Sequence, residues 1–159
     1  MRTADLLSPD DVVLDLAVAN RRGLLDALSI EAAKRLGLGR QNILDALEAR
    51  EQLGSTALRG GIAFPHTQLS GVDRRLMLFA RLVQSIYLDS NDEEPIDLVF
   101  LMLWPAGNSK AFLEAMAEIC SRLREPQLVR RLRDAAKPEE VVALLSHARD
   151  PEAGTVGPK

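Results

Sequence analysis

Ile96-Asp97-Leu98-Val99-Phe100-Leu101-Met102-Leu103-Trp104 is the stretch on which the fold turns. After Asp97 every residue is apolar, so neither face of an extended chain would be wet. That is the pattern of a central strand buried on both sides, which needs helices packed above and below it. The apolar run is far shorter than the ~20 residues that a membrane-crossing helix requires.

Working outward, Leu76 to Val83 predicts a second strand, with Leu76, Leu78, Ala80 and Leu82 on one face and Met77, Phe79 and Arg81 on the other. Asp11 to Leu16 predicts a short first strand. Between them, Leu24, Leu25, Leu28, Ala32 and Leu36 recur at helical spacing and predict a helix over Arg21 to Leu36. Asn20 is its N-cap and Gly37 its C-cap. A second helix is expected from about Gln41 to Leu53, with Ile43, Leu44 and Leu47 inward and Gly54 as its stop. Gly61 to Phe64 reads as a short strand leading into Pro65-His66.

Beyond the central strand, Pro105 to Asn108 forms a loop. A third helix then begins near Ser109, with Phe112, Leu113, Met116, Ile119, Cys120 and Leu123 on its apolar face. Pro126 breaks it, and Gln127–Arg133 and Pro138–His147 give two short terminal helices. The expected fold class is therefore α/β, a single domain with a mixed β-sheet flanked by helices, over residues 1–148. Residues 149–159 are expected to be a disordered C-terminal tail.

Composition narrows the function. The 159 residues are 47% hydrophobic and 27% charged, with a net charge of −3, as in an ordinary globular domain. Aromatics are 4% and interleave with no basic stripe, which argues against nucleic acid as a partner. Cys120 is the single cysteine, so neither an internal disulfide nor a thiolate metal cage is available. With no secretory signal and no spanning segment, a cytoplasmic protein without membrane insertion is expected.

Two histidines are present. His147 falls near a helix C-terminus, where a cation is stabilised by the helix dipole. His66 follows Pro65 in the most glycine-broken part of the chain, and is expected on a loop. Pro65 fixes its own φ and holds Phe64 extended, which stiffens the approach to the imidazole. Gly60 and Gly61 are not followed by the Gly-Lys-Ser/Thr of a nucleotide-binding loop.

The wider segment, Arg50-Glu51-Gln52-Leu53-Gly54-Ser55-Thr56 followed by Gly60-Gly61-Ile62-Ala63-Phe64-Pro65-His66, resembles the enzyme IIA domains of the fructose, mannitol and nitrogen-related bacterial phosphotransferase systems. The similarity extends from about Leu6 to Leu145, and its later part, including Arg130 to Arg133, resembles the nitrogen-related branch. This resemblance implies that His66 is phosphorylated by a histidine-containing phosphocarrier protein. It also implies that Arg50 stabilises the transferring phosphoryl group, and that neither cofactor nor metal takes part. Phosphoryl transfer suits such a site: the transition state is loose, and catalysis is largely alignment and charge stabilisation. Read from the residues alone, Arg50 serves equally well as a cation at a helix C-terminus. Ser55 and Thr56 either donate hydroxyls to the phosphoryl group or orient the histidine, or equally make turn hydrogen bonds to nearby backbone.

Two positions depart from the family pattern. A second family histidine is replaced by Phe112 in Ser109-Lys110-Ala111-Phe112-Leu113, and a phenyl ring cannot bond a phosphoryl oxygen. Ala57-Leu58-Arg59 stands where relatives carry Gly-Ile-Gly, so Arg59 adds a charge that either contacts an anion or is solvated. The expected output is regulation, through a target such as a sensor kinase or a potassium-transport protein. The alternatives are a binding module that no longer transfers phosphate, and a fructose/mannitol-type domain serving a sugar permease.

Overall fold

The computed structural model describes residues 7–146. His147 and the tail at 149–159 lie outside the described residues. The elements, after a 3-10 turn at Pro9–Asp11, run β1 (Val12–Leu16), α1 (Arg21–Leu36), α2 (Arg40–Gln52), β2 (Ala57–Leu58), β3 (Ile62–Ala63), β4 (His66–Leu69), β5 (Leu76–Ile86), β6 (Ile96–Pro105), α3 (Ser109–Arg122), α4 (Pro126–Asp134) and α5 (Pro138–Ser146). The α/β class, with one mixed sheet in a single domain, is as expected.

The strands lie in the order β1-β5-β6-β3-β2, and β4 also pairs with β6. β5 and β6 are antiparallel, whereas β1 runs parallel to β5, and β3 and β4 run parallel to β6. β6 is the hub, and Leu98 to Trp104 are all buried. Alternate residues of β5 and β6 feed two cores. Met77, Phe79, Phe100 and Met102 pack under α3, α4 and α5. Leu78, Ala80, Val99 and Leu101 pack under α1 and α2.

The caps of α1 form as its sequence requires. The Asn20 side chain accepts a hydrogen bond from the Gly23 amide at 2.9 Å, and Gly37 takes the left-handed conformation, φ 70°. α3 corrects one expectation. Leu113 is 60% exposed, and Ala115 is the residue buried in its turn. The inward stripe therefore runs Phe112, Ala115, Ile119, which is helical spacing with a small residue in the middle.

Candidate functional site

β3 and β4 follow one another along β6. Ile62 and Ala63 sit beside Leu98 and Val99, and His66 beside Met102. Between them the Pro65 carbonyl accepts the Met102 amide at 2.9 Å, so the sheet continues although proline donates nothing. His66 is thus the first residue of a strand, not part of a loop. Its four-residue strand is mixed in polarity and too short to show an alternation.

The imidazole is held from below. His66 Nδ1 is 2.7 Å from the Phe64 carbonyl oxygen. A carbonyl only accepts, so Nδ1 carries the proton, and the lone pair of the neutral ring is left on Nε2. Partial burial lowers the His66 pKa from its ordinary value and the Arg50 charge lowers it further, against the bond to Phe64, which raises it. The neutral, nucleophilic form is therefore favoured at neutral pH.

The Phe64 backbone is itself fixed. Its amide donates to the Thr56 carbonyl at 2.9 Å. Thr56 is buried, and its Oγ1 donates to Glu51 Oε2 at 2.5 Å. Glu51 is only 4% exposed, and its Oε1 is buried without a hydrogen-bond partner. Burial pushes the Glu51 carboxyl above the usual carboxylate range, against the opposing Thr56 bonds and the charges of Arg50 and Arg21. A relay therefore runs from Glu51 through Thr56 and Phe64 to His66. The sequence reading did not single out Glu51. The signal was there, since Ile43, Leu47 and Glu51 are spaced four apart and all three are buried on one stripe of α2.

Arg50 occupies the last turn of α2, and its Nη1 donates to the Gly54 carbonyl at 3.0 Å. It caps the helix, and it is also the arginine whose charge acts on His66. Ser55 Oγ donates to Asp92 at 3.1 Å and accepts the Ala57 amide at 3.2 Å, which ties the turn to the β5–β6 loop. The hydroxyls of Ser55 and Thr56 are both engaged in the fold. Arg59 is exposed on the β2–β3 turn and lines a separate cleft with Arg124 and Arg133.

Aromatic rings wall the site. His66 lies 5.2 Å from the Phe64 ring and 6.1 Å from the Phe112 ring, and Phe112 leans on Trp104 at 5.9 Å. Phe112 is buried, so it serves the core and places an apolar edge beside His66. Among the described residues, no group of three or more His, Cys, Asp or Glu side chains is arranged to hold a metal ion. No helix among them is long and apolar enough to cross a membrane.

Comparison with known proteins identifies the family and the fold. Residues 5–148 match the family model described as "Phosphoenolpyruvate-dependent sugar phosphotransferase system, EIIA 2". The chain is 34% identical over 146 residues to a nitrogen regulatory protein of Bradyrhizobium diazoefficiens, covering 92% of this chain and 95% of that one. It is 35% identical over 130 residues to a nitrogen regulatory protein of Klebsiella oxytoca, covering 81% and 80%. The crystal structure of nitrogen regulatory protein IIA-Ntr from Neisseria meningitidis superposes with a TM-score of 0.84 at 27% identity, over 89% of this chain and 97% of that one. The fold alone is shared with IIA mannitol from Escherichia coli, at a TM-score of 0.75 and 18% identity over 87% and 98% of the two chains. With its histidine, its Arg-Glu and Gly-Ser-Thr segments and its sheet all in the arrangement described, the chain belongs to the EIIA type 2 family of the phosphoenolpyruvate-dependent phosphotransferase system.

Proposed function

We propose that His66 accepts a phosphoryl group on Nε2 from a phosphohistidine of a histidine-containing phosphocarrier protein. The Nε2 lone pair attacks phosphorus, the donor's N–P bond breaks, and the electron pair returns to the donor imidazole. The observation that carries this reading is the 2.7 Å contact of Nδ1 with the Phe64 carbonyl, which leaves Nε2 as the nucleophile. Arg50, whose charge is felt at His66, offers a planar fork to the equatorial oxygens.

The output proposed is regulatory. Phosphorylation adds roughly −1.5 to −2 of charge, enough to make or break a partner interface. A sensor kinase or a potassium-transport protein is the kind of target the nitrogen-related resemblance implies. Incubation with phosphoenolpyruvate, enzyme I and the phosphocarrier, followed by intact mass, tests the acceptor. The expected result is an adduct of about 80 Da on the wild type and none on His66→Ala.

One observation favours a second reading. The Phe112 ring stands 6.1 Å from His66, at the position that carries a hydrogen-bonding histidine in the family pattern. A domain so altered would act as a binding module without efficient transfer. Absence of the adduct with active donors would select it.

A further inference from the structure

At the end of α3 remote from His66, a second concavity opens between the β2–β3 turn and α4. Its volume is about 630 Å³, within the range of small-molecule sites. Leu58, Leu123 and Val129 supply an apolar floor, and Arg59, Arg124 and Arg133 stand around it. The three arginines differ in what already holds them. Arg133 forks Asp97 at 2.9 to 3.1 Å and donates to the Gly60 carbonyl. Its charge is spoken for. The nearby Glu94 carboxylate takes the Gly60 amide at 2.7 Å. Arg59 and Arg124 are both exposed and have no carboxylate partner among the described residues.

The wall is also preformed. Gly61 has φ +79°, and a Cβ there would lie 2.7 Å from Arg133 Nη2 and 3.3 Å from the Pro95 carbonyl oxygen. Only glycine lets the turn approach α4 this closely. A rigid apolar concavity with two unpaired guanidiniums at its mouth complements a ligand that is apolar at one end and anionic at the other. We propose that this cleft binds an amphiphilic oxyanion, with a hydrocarbon body on the Leu58, Leu123 and Val129 floor and a carboxylate or phosphate head forked by Arg59 and Arg124. A neutral hydrocarbon would leave the guanidiniums unused, and a bare inorganic anion would leave the floor wet.

Titration of the full chain with octanoate, octyl phosphate, octan-1-ol and acetate, followed by amide NMR, tests this. At least one of the two eight-carbon anions is expected to shift the amides of residues 58–60 and 120–133 saturably. It should bind about tenfold or more tightly than octanol, which lacks the charged contact, or acetate, which leaves the apolar floor uncovered. Whichever head binds more tightly identifies the source chemistry. The double variant Arg59→Ala/Arg124→Ala, altered at two exposed positions, should weaken that anion about tenfold or more while its remaining spectrum stays native. Cys120, the single cysteine, lines the same cleft, so the bound anion should also slow its alkylation by iodoacetamide. Octanol binding as tightly as the anions, no saturable shift with either anion, or full affinity in the double variant would each overturn the proposal.

Discussion

His66 Nδ1 lies 2.7 Å from the carbonyl oxygen of Phe64, and the Phe64 amide in turn reaches the Thr56 carbonyl at 2.9 Å. The ring that carries the proposed chemistry is oriented by the main chain two residues before it, and that main chain is anchored on a buried threonine. The consequences fall on acidity, on the relay, on the phenylalanine opposite and on the glycine turn.

The first consequence concerns pH. Burial, aided by Arg50, holds the His66 pKa below its ordinary value near 6.5. The neutral nucleophile therefore persists as pH falls, and the midpoint of phosphoryl acceptance should lie on the acid side of 6.5. The same shift has a stability sign. Below about 6.5 the unfolded chain takes up this proton more readily than the native one, so His66's contribution is full above that pH and lost as pH falls through the folded pKa. An NMR titration of the assigned His66 ring measures the folded-state pKa on which both depend. A midpoint at or above 6.5 would contradict the account.

Thr56→Val is isosteric but removes the hydroxyl from Glu51. The buried Glu51 carboxyl, whose Oε1 already lacks a partner, would then lose its hydroxyl bond and keep only the one from the Thr56 backbone, at a cost of about 1–3 kcal/mol. Thr56→Ser keeps the donor and should lose less than half as much. Urea denaturation measures the difference, and transfer kinetics on the folded variants should follow the same order. Equal loss in the two variants would assign the effect to the methyl group.

Phe112→His would place a second imidazole beside His66. One added charge-assisted hydrogen bond is worth about 1.5–3 kcal/mol, so the initial rate of phosphoryl acceptance should rise about tenfold or more. Because Phe112 is buried against Trp104, the variant should also be less stable than the wild type. Single-turnover transfer from the phosphorylated phosphocarrier gives the rate. An unchanged rate would show that the phenyl position does not face the transferring group.

Gly61→Ala should destabilise the fold by about 2 kcal/mol or more. A left-handed φ costs an L-residue roughly 1–2 kcal/mol, and the added methyl meets Arg133 and the Pro95 carbonyl. Gly71→Ala shares a positive φ but has nothing within 4 Å of the added carbon, so it isolates the backbone part. Thermal melts of the two variants should differ, with Gly61→Ala the lower.

Much of this architecture was legible in the sequence where one physical signal dominated. The unbroken apolar run of β6 required burial on both faces, and the Asn20 and Gly37 caps fixed α1. The reading was incomplete where elements are too short for periodicity. β2 has two residues, and β4 has four of mixed polarity, so His66 looked like a loop residue while the pairing with Met102 that makes it a strand was invisible. Leu113 shares helical spacing with Met116 and Cys120, so spacing leaves it a place on the apolar face, and only the packing centres the buried stripe on Phe112, Ala115 and Ile119. For the site, the motif points to His66 and Arg50, whereas a glutamate on a helix is ordinarily solvated, so Glu51 does not stand out. Its burial follows from sitting one turn after Leu47, and its partner Thr56 lies across a turn that no local pattern encodes.

The most direct test of the central claim is the nitrogen that carries phosphorus. The protein, labelled with 15N in its histidines, should be phosphorylated through phosphoenolpyruvate, enzyme I and the phosphocarrier, and its imidazole nitrogens read by long-range proton–nitrogen correlation with phosphorus coupling. The account requires phosphorus coupled to Nε2 of His66, with Nδ1 retaining its proton. Phosphorus on Nδ1, on another residue, or on none with active donors would contradict it.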